Sequence, residues 1–437
     1  MDEGEKTKTK RVKPELPGGF RDYGPVDAIA RQGMLDTIRR TFESFGFDPL
    51  ETSAVQKTEV LTGGEEDSGK IIFNIRGSQE SESDTSLRFD LTVPLARFVA
   101  ANPEIPKPFK RYQIGTVWRG ERQQAGRYRE FTQADVDIVG SSSLDADAEI
   151  VAVIYNTLKS IGLDDFLIKI NSRQLLNSLP EYAGFPSEKL WDVLRIIDKK
   201  DQIGLEGIIK EIFTLFGNAL IADKVGKFLI TSSTGAVFAD MIGDQDAWAK
   251  LVQILEDVDV GMNNLEIDLS IVRGLSYYTG TVFETILTTM PEIGSIFSGG
   301  RYDNLVAEFT GQSIPAVGAS IGVDRLFVAL KKLGKIGDQK TGTQALILQI
   351  EQELREDYLT MAQELRNAGI NTALYVGDDR TFQAQWAYAV KKEIPYVVLY
   401  GEEEKKERMV AIKNLQTREQ KEIPRAEIAE YLKKEIG

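Results

Sequence analysis

The sequence predicts an α+β domain built on an antiparallel sheet, with a mainly helical insertion, followed by a smaller α/β domain. Three observations lead to this prediction. They are a long polar hairpin at 110–140, helical patterns between 172 and 264, and alternating strands and helices after 344. Because 437 residues are too many for one ordinary hydrophobic core, more than one domain is expected.

Composition limits the chemistry that the chain can perform. Hydrophobic residues make up 42% and charged residues 27%, as in globular proteins, and no apolar run is long enough to cross a bilayer. The chain has no cysteine, which excludes disulfides and thiolate metal sites, and its net charge of -14 argues against broad coating of nucleic acid. It also has no histidine, so any catalysis would rely on carboxylates, arginine, lysine, tyrosine or the substrate's own groups.

The first predicted elements are a helix and an otherwise apolar strand that carries two polar residues. Apolar residues at helical spacing within Arg21–Phe47 predict an amphipathic helix that ends near Gly46. In the segment 87–99, Asp90 and Thr92 share one parity of a run that resembles an apolar strand, which Pro94 would end. A carboxylate there would be either a buried structural partner or a ligand contact.

The stretch Lys110–Gly140 carries the most unusual polar pattern. Two runs that alternate with period two flank a loop rich in glycine and arginine, which predicts a long antiparallel hairpin. The second run places Gln133, Asp135 and Asp137 on one face. Burying that face is costly unless a ligand is bound there, and a solvated face with ion pairs is the alternative.

The next segments combine helices with short glycine-flanked motifs. A helix is predicted at 145–161, a strand at 166–171 and a mainly helical insertion at about 172–264. Arg273, Tyr277 and Tyr278 then lie in a turn between two strands, although aromatic core packing would account for one tyrosine. The motif at 298–306 has a glycine pair that allows close backbone approach, followed by residues predicted to open a helix or, alternatively, to form a plain turn.

The segment before residue 330 and the C-terminal region both have clear patterns. A strand of small residues from Pro315 runs into an apolar helix that begins with Asp324 and Arg325, where a guanidinium can stack on a flat ring. A Gly/Lys linker follows at 333–343. Alternating strands and helices beyond it predict an α/β domain with a largely parallel sheet.

Four motifs together resemble the histidyl-tRNA synthetase family of class II. They are RGERQQAGRYREFTQADVDIVG, RGLSYYTGTVFE, SGGRYD and GVDRL, and the similarity extends from LPGGFRD at Leu16 to the last helix. The resemblance implies a class II catalytic domain at 16–330 that contains the insertion, a linker at 331–343 and an anticodon-binding-like domain at 344–437, after a disordered tail at 1–15.

The resemblance also implies a function and site residues. The reaction would be ATP-dependent attachment of histidine to its tRNA, with Mg²⁺, in a cytoplasmic homodimer. The implied residues are Arg119 and Arg273 for catalysis; Asp90, Leu91, Thr92, Gln133, Asp137, Tyr277 and Tyr278 for histidine; Arg119, Glu121, Arg127, Phe131 and Arg325 for ATP; and Arg122, Gln123 and Gln124 for the tRNA acceptor end. Asp90, Thr92 and Gln133 would hold the ammonium, and Asp137 and Tyr278 the two ring nitrogens. On this basis Asp137→Ala is expected to abolish histidine activation with the fold intact.

Some positions depart from the family pattern, and other functions remain alternatives. Ser53, Ser276, Thr132 and Gln123 replace residues that are usual in the family, which puts details of the dimer interface and of tRNA recognition in doubt. A regulatory subunit of ATP phosphoribosyltransferase, which lacks the C-terminal domain, and a tRNA sensor are the alternatives. A class II synthetase for another amino acid is disfavoured by the two adjacent tyrosines.

Overall fold

The computed structural model describes residues 12–63, 72–77, 84–120, 128–230, 260–272 and 278–436. They form two compact units. One consists mainly of Met34–Lys335, and the other of Ile336 onward together with Asp22–Gly33. No helix in the described ranges is long and apolar enough to cross a membrane.

An eight-stranded sheet organises the first unit. Its strand order is β1-β5-β6-β11-β10-β9-β7-β8, and every pairing from β5 through to β7 is antiparallel. The strands of this unit, including the three-stranded sheet β2-β4-β3, are β1 Asp48–Pro49, β2 Val55–Lys57, β3 Phe73–Ile75, β4 Thr85–Leu87, β5 Phe109–Trp118, β6 Glu130–Val139, β7 Phe166–Ser172, β8 Leu265–Ile267, β9 Thr281–Leu287, β10 Phe297–Arg301 and β11 Ala316–Gly322.

Helices precede, cover and interrupt this sheet. They are α1 Pro25–Ser44, α2 Thr58–Thr62, α3 Thr92–Ala101, α4 Leu144–Ser160, α5 Arg173–Ala183, α6 Leu190–Ile197, α7 Lys200–Phe216, α8 Ala219–Ile230, α9 Ala307–Thr310 and α10 Val323–Lys332. The insertion packs its own apolar core from α5 to α8, with Phe228 and Leu176 fully buried. It is therefore mainly helical where it is described, while residues 231–259 lie outside the described ranges.

The hairpin predicted from period-two alternation is confirmed as β5 and β6. Its register places Arg111 opposite Asp137, Gln113 opposite Asp135, and Gly115 opposite Gln133. The other edge of β6 pairs with β11, so the polar face of β6 lies in the middle of the sheet. A central position explains why these polar side chains are buried rather than solvated.

The strand predicted around Asp90 is wrong. The chain forms α3 from Thr92, and Pro94 lies within its first turn, where a missing backbone N–H costs nothing. Asp90 precedes the helix, and its Oδ1 accepts a hydrogen bond from the Val93 backbone N–H at 3.2 Å. The shared parity of Asp90 and Thr92 therefore reflected a helix start rather than a strand face.

The glycine pair at 299–300 lies in a strand, so the prediction that the following residues open a helix is wrong. Arg301 ends β10, and the next helix is the short α9. The close backbone approach is confirmed, because a Cβ built on Gly299 would lie 2.1 Å from the carbonyl oxygen of Gly318. Only glycine fits where β10 and β11 are paired this closely.

A buried ion pair connects β10 to α4. The Arg301 guanidinium contacts the carboxylate of Asp147, whose side chain is fully buried, and donates to the carbonyls of Ser141 at 2.9 Å and Ser143 at 3.1 Å. The Arg301 side chain is 9% exposed. The arginine of the SGGRYD motif thus holds the sheet against α4.

We expect Asp147→Ala to lower the stability of this unit by about 3–5 kcal/mol, because it leaves a buried guanidinium without its main counterion. Urea denaturation followed by fluorescence measures the change. The control is Asp192→Ala, which removes exposed pairs with Lys189 and Arg195 and should cost about 1 kcal/mol or less. An equally small effect of Asp147→Ala would show that Asp303, 3.6 Å from Arg301, compensates fully.

The second unit is an α/β sandwich with a five-stranded sheet of order β13-β12-β14-β15-β16. Its elements are β12 Ala345–Ile347, α11 Arg355–Asn367, β13 Thr372–Leu374, α12 Phe382–Lys392, β14 Tyr396–Leu399, α13 Glu402–Glu407, β15 Met409–Asn414, β16 Gln420–Pro424 and α14 Ile428–Ile436. The pairings of β12 with β13 and with β14 are parallel, and those of β15 with β14 and with β16 are antiparallel. The prediction of a largely parallel sheet is therefore wrong for half of the pairings. The connections after β14 and β15, residues 400–408 and 415–419, are shorter than the crossover of about a dozen residues that a parallel pairing needs.

Candidate active site

A cavity of about 240 Å³ opens on the polar face of β6. Six of the predicted site residues line it, namely Asp90, Thr92, Arg119, Gln133, Asp137 and Tyr278. Other lining residues are Phe89, Asp135, Ser298, Gly299, Tyr302, Gly318, Ala319 and Ser320. Segments that are far apart in the sequence thus meet at one place in the sheet.

Glycine at position 318 makes room for the carboxylate of Asp137. The two residues are paired across β6 and β11, and a Cβ at Gly318 would lie 1.9 Å from Asp137 Oδ1. Together with Gly299, it keeps the floor of the cavity free of side chains. The run of small residues in β11 is therefore explained by the space that the polar residues of β6 require.

Asp137 is held by two buried partners. Its Oδ2 lies 2.7 Å from Nη2 of Arg111, and its Oδ1 accepts a hydrogen bond from the Tyr302 hydroxyl. Burial raises the pKa of Asp137, and the charge of Arg111 offsets part of that rise. Burial and the neighbouring carboxylate also raise the pKa of Tyr302 well above its usual value, which keeps its hydroxyl a donor.

Arg111 is a fully buried cation behind the cavity. Its Nη2 forms the ion pair with Asp137 and donates a hydrogen bond to the Leu91 carbonyl at 3.3 Å. Its Nε and Nη1 have no hydrogen-bond partner among the described residues. Its charge acts on Asp90 and Asp135 as well as on Asp137, so one guanidinium serves three buried carboxylates.

Asp90 lies just before α3, and Thr92 is the first residue of that helix. Burial raises the pKa of Asp90 to about 6, although the Val93 N–H and the cations Arg119 and Arg111 favour its ionised form. A carboxylate with a raised pKa in a cavity gains stability when a ligand brings a positive charge. This residue is therefore suited to bind a cation.

Arg119 follows β5 and is oriented by its backbone surroundings. Its Nε donates to the Phe89 carbonyl at 3.1 Å, and its guanidinium lies 5.1 Å from the centre of the Phe131 ring. The Nε bond and the ring fix the plane of the guanidinium at the cavity. An arginine fixed in this way can contact an anionic group bound beside Asp90.

The other predicted site residues are not cavity-lining side chains, or fall outside the described ranges. Leu91 is fully buried, Phe131 packs under Arg119, and Arg325 donates to the Ser295 carbonyl. The residues that lie outside the described ranges are Glu121, Arg122, Gln123, Gln124, Arg127, Arg273 and Tyr277.

Sequence reasoning missed four residues of the site region. Arg111, Tyr302 and Ser320 contact the polar side chains of β6, and Asp324 accepts from the Thr132 backbone N–H at 2.6 Å and pairs with Arg21. Only Arg111 left a signal, since a charged residue on a strand face opposite a carboxylate indicates a buried pair. The others depend on contacts across the sheet that sequence spacing does not show.

We expect Asp135→Asn to flatten the pH dependence of thermal stability. Burial raises the pKa of Asp135 to about 7, whereas in the unfolded chain this carboxyl ionises near its usual pKa of 3.8. The folded state therefore binds the extra proton, and this group lowers the free energy of unfolding as pH rises between those values. Melting temperatures at about pH 5 and about pH 8 measure the effect. The melting temperature of the variant, relative to that of the unaltered protein, should increase as pH rises. Parallel pH profiles of the two melting temperatures would contradict a raised pKa for Asp135.

The fold and the cavity define a class II aminoacyl-tRNA synthetase-like protein. The solved histidyl-tRNA synthetase from Nostoc sp. PCC 7120 superposes with a TM-score of 0.86 at 32% identity, covering 97% of this chain and 100% of that chain. An ATP phosphoribosyltransferase regulatory subunit/histidyl-tRNA synthetase from Bacillus halodurans shares the fold, with a TM-score of 0.73 at 24% identity over 87% of this chain and 97% of that chain.

Sequence comparison narrows the class to one family. Residues 19–326 match the histidyl-tRNA synthetase family and residues 344–435 the anticodon-binding domain. The histidine–tRNA ligase of Clostridium tetani is 41% identical over 97% of this chain and 98% of its own length, and that of Wolinella succinogenes is 40% identical over 94% and 96%. The chain belongs to the histidyl-tRNA synthetase family. The matched anticodon-binding domain disfavours the regulatory-subunit alternative, which lacks it.

Proposed function

We propose that this protein attaches histidine to its cognate tRNA through a histidyl-adenylate intermediate. The observation that carries the proposal is the single cavity in which Asp90, Gln133, Asp137 and Arg119 meet, in a chain of this family. A class II fold positions such a cavity for an amino acid beside ATP. Different residues of the cavity would bind the imidazole and the α-ammonium of histidine.

The imidazole of histidine would bind at Asp137 and Tyr278. Arg111 and Tyr302 fix the Asp137 carboxylate, so that it can accept a ring N–H without moving. A side chain without that N–H would leave buried polar groups unsatisfied, at a cost of about 1–3 kcal/mol for each group. This cost would favour histidine over apolar amino acids of similar size.

The α-ammonium would bind between Asp90, Thr92 and Gln133. Asp90 has a carboxyl whose raised pKa returns toward its usual value when a cation binds beside it. The Oε1 of Gln133 is buried and has no hydrogen-bond partner among the described residues. An ammonium supplies the three donors that these acceptors require.

The first chemical step would need alignment rather than a general base. The histidine carboxylate is already ionised, attacks the α-phosphate of ATP and displaces pyrophosphate. Arg119 would stabilise the charge that develops on the phosphate, and Arg273 would assist at the carboxylate. A protein with no histidine side chain can perform this reaction, since no proton has to be removed from the nucleophile.

The second step would transfer histidine to the terminal adenosine of the tRNA. Its hydroxyl attacks the adenylate carbonyl, the phosphate oxygen takes the proton, and AMP leaves. We assign Arg122, Gln123 and Gln124 to the acceptor end, Glu121, Arg127, Phe131 and Arg325 to ATP, Leu91 and Tyr277 to the histidine pocket, and residues 344–437 to the anticodon. These assignments rest on the family resemblance.

Magnesium would arrive with ATP. The described residues contain no group of three or more carboxylates placed to hold a metal ion. Mg²⁺ commonly keeps several waters and binds through one or two carboxylates and the substrate's phosphates, which is compatible with this cavity. Bound to ATP, it would neutralise phosphate charge. We also propose a homodimer that acts in the cytoplasm, as family membership suggests.

ATP–pyrophosphate exchange with each of the twenty amino acids tests the activation step. We expect exchange with histidine alone, and a lack of histidine-dependent exchange would refute the synthetase function. Aminoacylation of tRNA then separates a ligase from a tRNA sensor, because a sensor would bind tRNA without charging it. Exchange with a different amino acid would indicate a class II synthetase of another specificity.

A further inference from the structure

Three polar side chains adjoin one another on one wall of the cavity. Ser320 lies directly opposite Asp135 in the pairing of β6 with β11, and its hydroxyl favours the ionised form of the Asp135 carboxyl. The Gln133 Nε2 donates to the Ser320 Oγ at 2.8 Å. Asp135 is 2% exposed, and its Oδ1 has no hydrogen-bond partner among the described residues. The family motifs assign no role to Asp135 or to Ser320.

The number of protons available decides which of these side chains donates and which accepts. Above its pKa of about 7 the Asp135 carboxyl is ionised and can only accept, whereas a serine hydroxyl has one proton to donate and lone pairs to accept with. Ser320 therefore gives its proton to Asp135 and accepts from the amide nitrogen of Gln133. The amide oxygen of Gln133 is then left to accept from another donor, and it is buried without a partner among the described residues.

We propose that Asp135 is a positioning residue that acts through Ser320 to fix the Gln133 amide with its oxygen toward the cavity. The cavity then presents an acceptor rather than a donor where the α-ammonium binds. This inference rests on the proposed function of the cavity as an amino-acid site. It explains why a third carboxylate is buried beside Asp90 and Asp137, although a single guanidinium, that of Arg111, acts on all three.

The chain of hydrogen bonds predicts what substitutions do. In Asp135→Asn the new amide can donate to Ser320, which frees the serine proton for the Gln133 oxygen and turns the Gln133 nitrogen toward the ammonium. Ser320→Ala breaks the connection but keeps the Asp135 charge. Both variants should therefore weaken binding of ligands with an ammonium and leave other ligands unaffected.

Calorimetric titration of the full-length protein with two ligands tests this at about pH 8, where the Asp135 carboxyl is ionised. Histidinol keeps the imidazole and the ammonium, whereas 3-(imidazol-4-yl)propionate keeps the imidazole and the carboxylate but lacks the ammonium. For Asp135→Asn and Ser320→Ala we expect the Kd of histidinol to rise about tenfold or more, the usual range for one hydrogen bond to a charged group. The Kd of the propionate should change less than about twofold, which is under half a kcal/mol.

A control variant and the alternative outcomes make the test decisive. Thr285→Val changes a buried hydroxyl in the same sheet that has no partner among the described residues, and it should leave both affinities unchanged. An equal loss of affinity for both ligands in the two variants would mean that Asp135 and Ser320 have a merely structural role. Loss in Asp135→Asn but not in Ser320→Ala would mean direct charge attraction. Either result overturns the proposal, as does unchanged binding of histidinol.

The proposed function is tested separately, by histidine-dependent exchange in the unaltered protein. If that exchange is absent, the amino-acid site itself is refuted. If exchange is present and the two variants discriminate no better than Thr285→Val, only the role of Asp135 fails. Should Asp135→Asn not fold, Ser320→Ala carries the test alone, because it removes one hydroxyl and no charge.

Discussion

Asp137→Ala is expected to lose both histidine activation and stability. The sequence alone led us to expect an intact fold, but Asp137 is the nearest counterion of Arg111, a guanidinium with no exposed surface. Removing one partner of a buried pair costs about 3–5 kcal/mol, because the remaining charge stays buried without compensation. Thermal denaturation and histidine-dependent exchange, measured on the same preparation, should both show the change.

A double variant separates the two effects. Arg111→Met with Asp137→Asn removes both charges while keeping side-chain volume, so the buried charge that destabilises Asp137→Ala is absent. We expect its melting temperature to recover most of the loss, while histidine-dependent exchange stays well below that of the unaltered protein, because a neutral amide oxygen accepts the ring N–H less strongly than a carboxylate does. Recovery of exchange would show that Asp137 serves stability and not histidine recognition. A normal melting temperature for Asp137→Ala would instead mean that Asp90 and Asp135 suffice to balance Arg111.

Local sequence patterns predicted the elements whose shape depends on local periodicity. The β5–β6 hairpin follows from alternation, and α10 follows from apolar spacing after a run of small residues. The segment at Asp90 was misjudged for the same reason. A helix start with an acidic residue before it and proline in its first turn has the same short-range parity as a strand.

Local spacing predicted a contact in the site only where both residues belong to the same motif. Gln133 and Asp137 lie four positions apart on one strand, so the strand period of two predicts that their side chains point to the same face. Ser320 follows Asp135 by 185 positions in the chain, and their contact exists because β11 happens to pair with β6 in this register. Spacing within the sequence holds no information about that register. The role of Tyr302 beside Asp137 was hidden in the same way.

Arg119→Ala is expected to lower the rate of histidine-dependent exchange by about a hundredfold to a thousandfold, as loss of one preorganised charge-stabilising donor does in other enzymes. The reason lies in its geometry: the Phe89 carbonyl and the Phe131 ring hold the guanidinium at the cavity before ATP binds. Steady-state exchange at saturating ATP gives the rate. Histidinol affinity should fall far less, because the ammonium would be held by Asp90 and Gln133.

Arg119→Lys sharpens this prediction, because it keeps the charge and removes the geometry. A lysine ammonium cannot donate from an Nε position to the Phe89 carbonyl while also reaching a phosphate with two parallel donors. We therefore expect it to lose most of the rate that Arg119→Ala loses. The matched control is Arg195→Ala on α6, whose side chain is 72% exposed and which should exchange at the unaltered rate. If Arg119→Lys were as active as the unaltered protein, charge alone would be sufficient at this position, and the fixed plane of the guanidinium would have no part in catalysis.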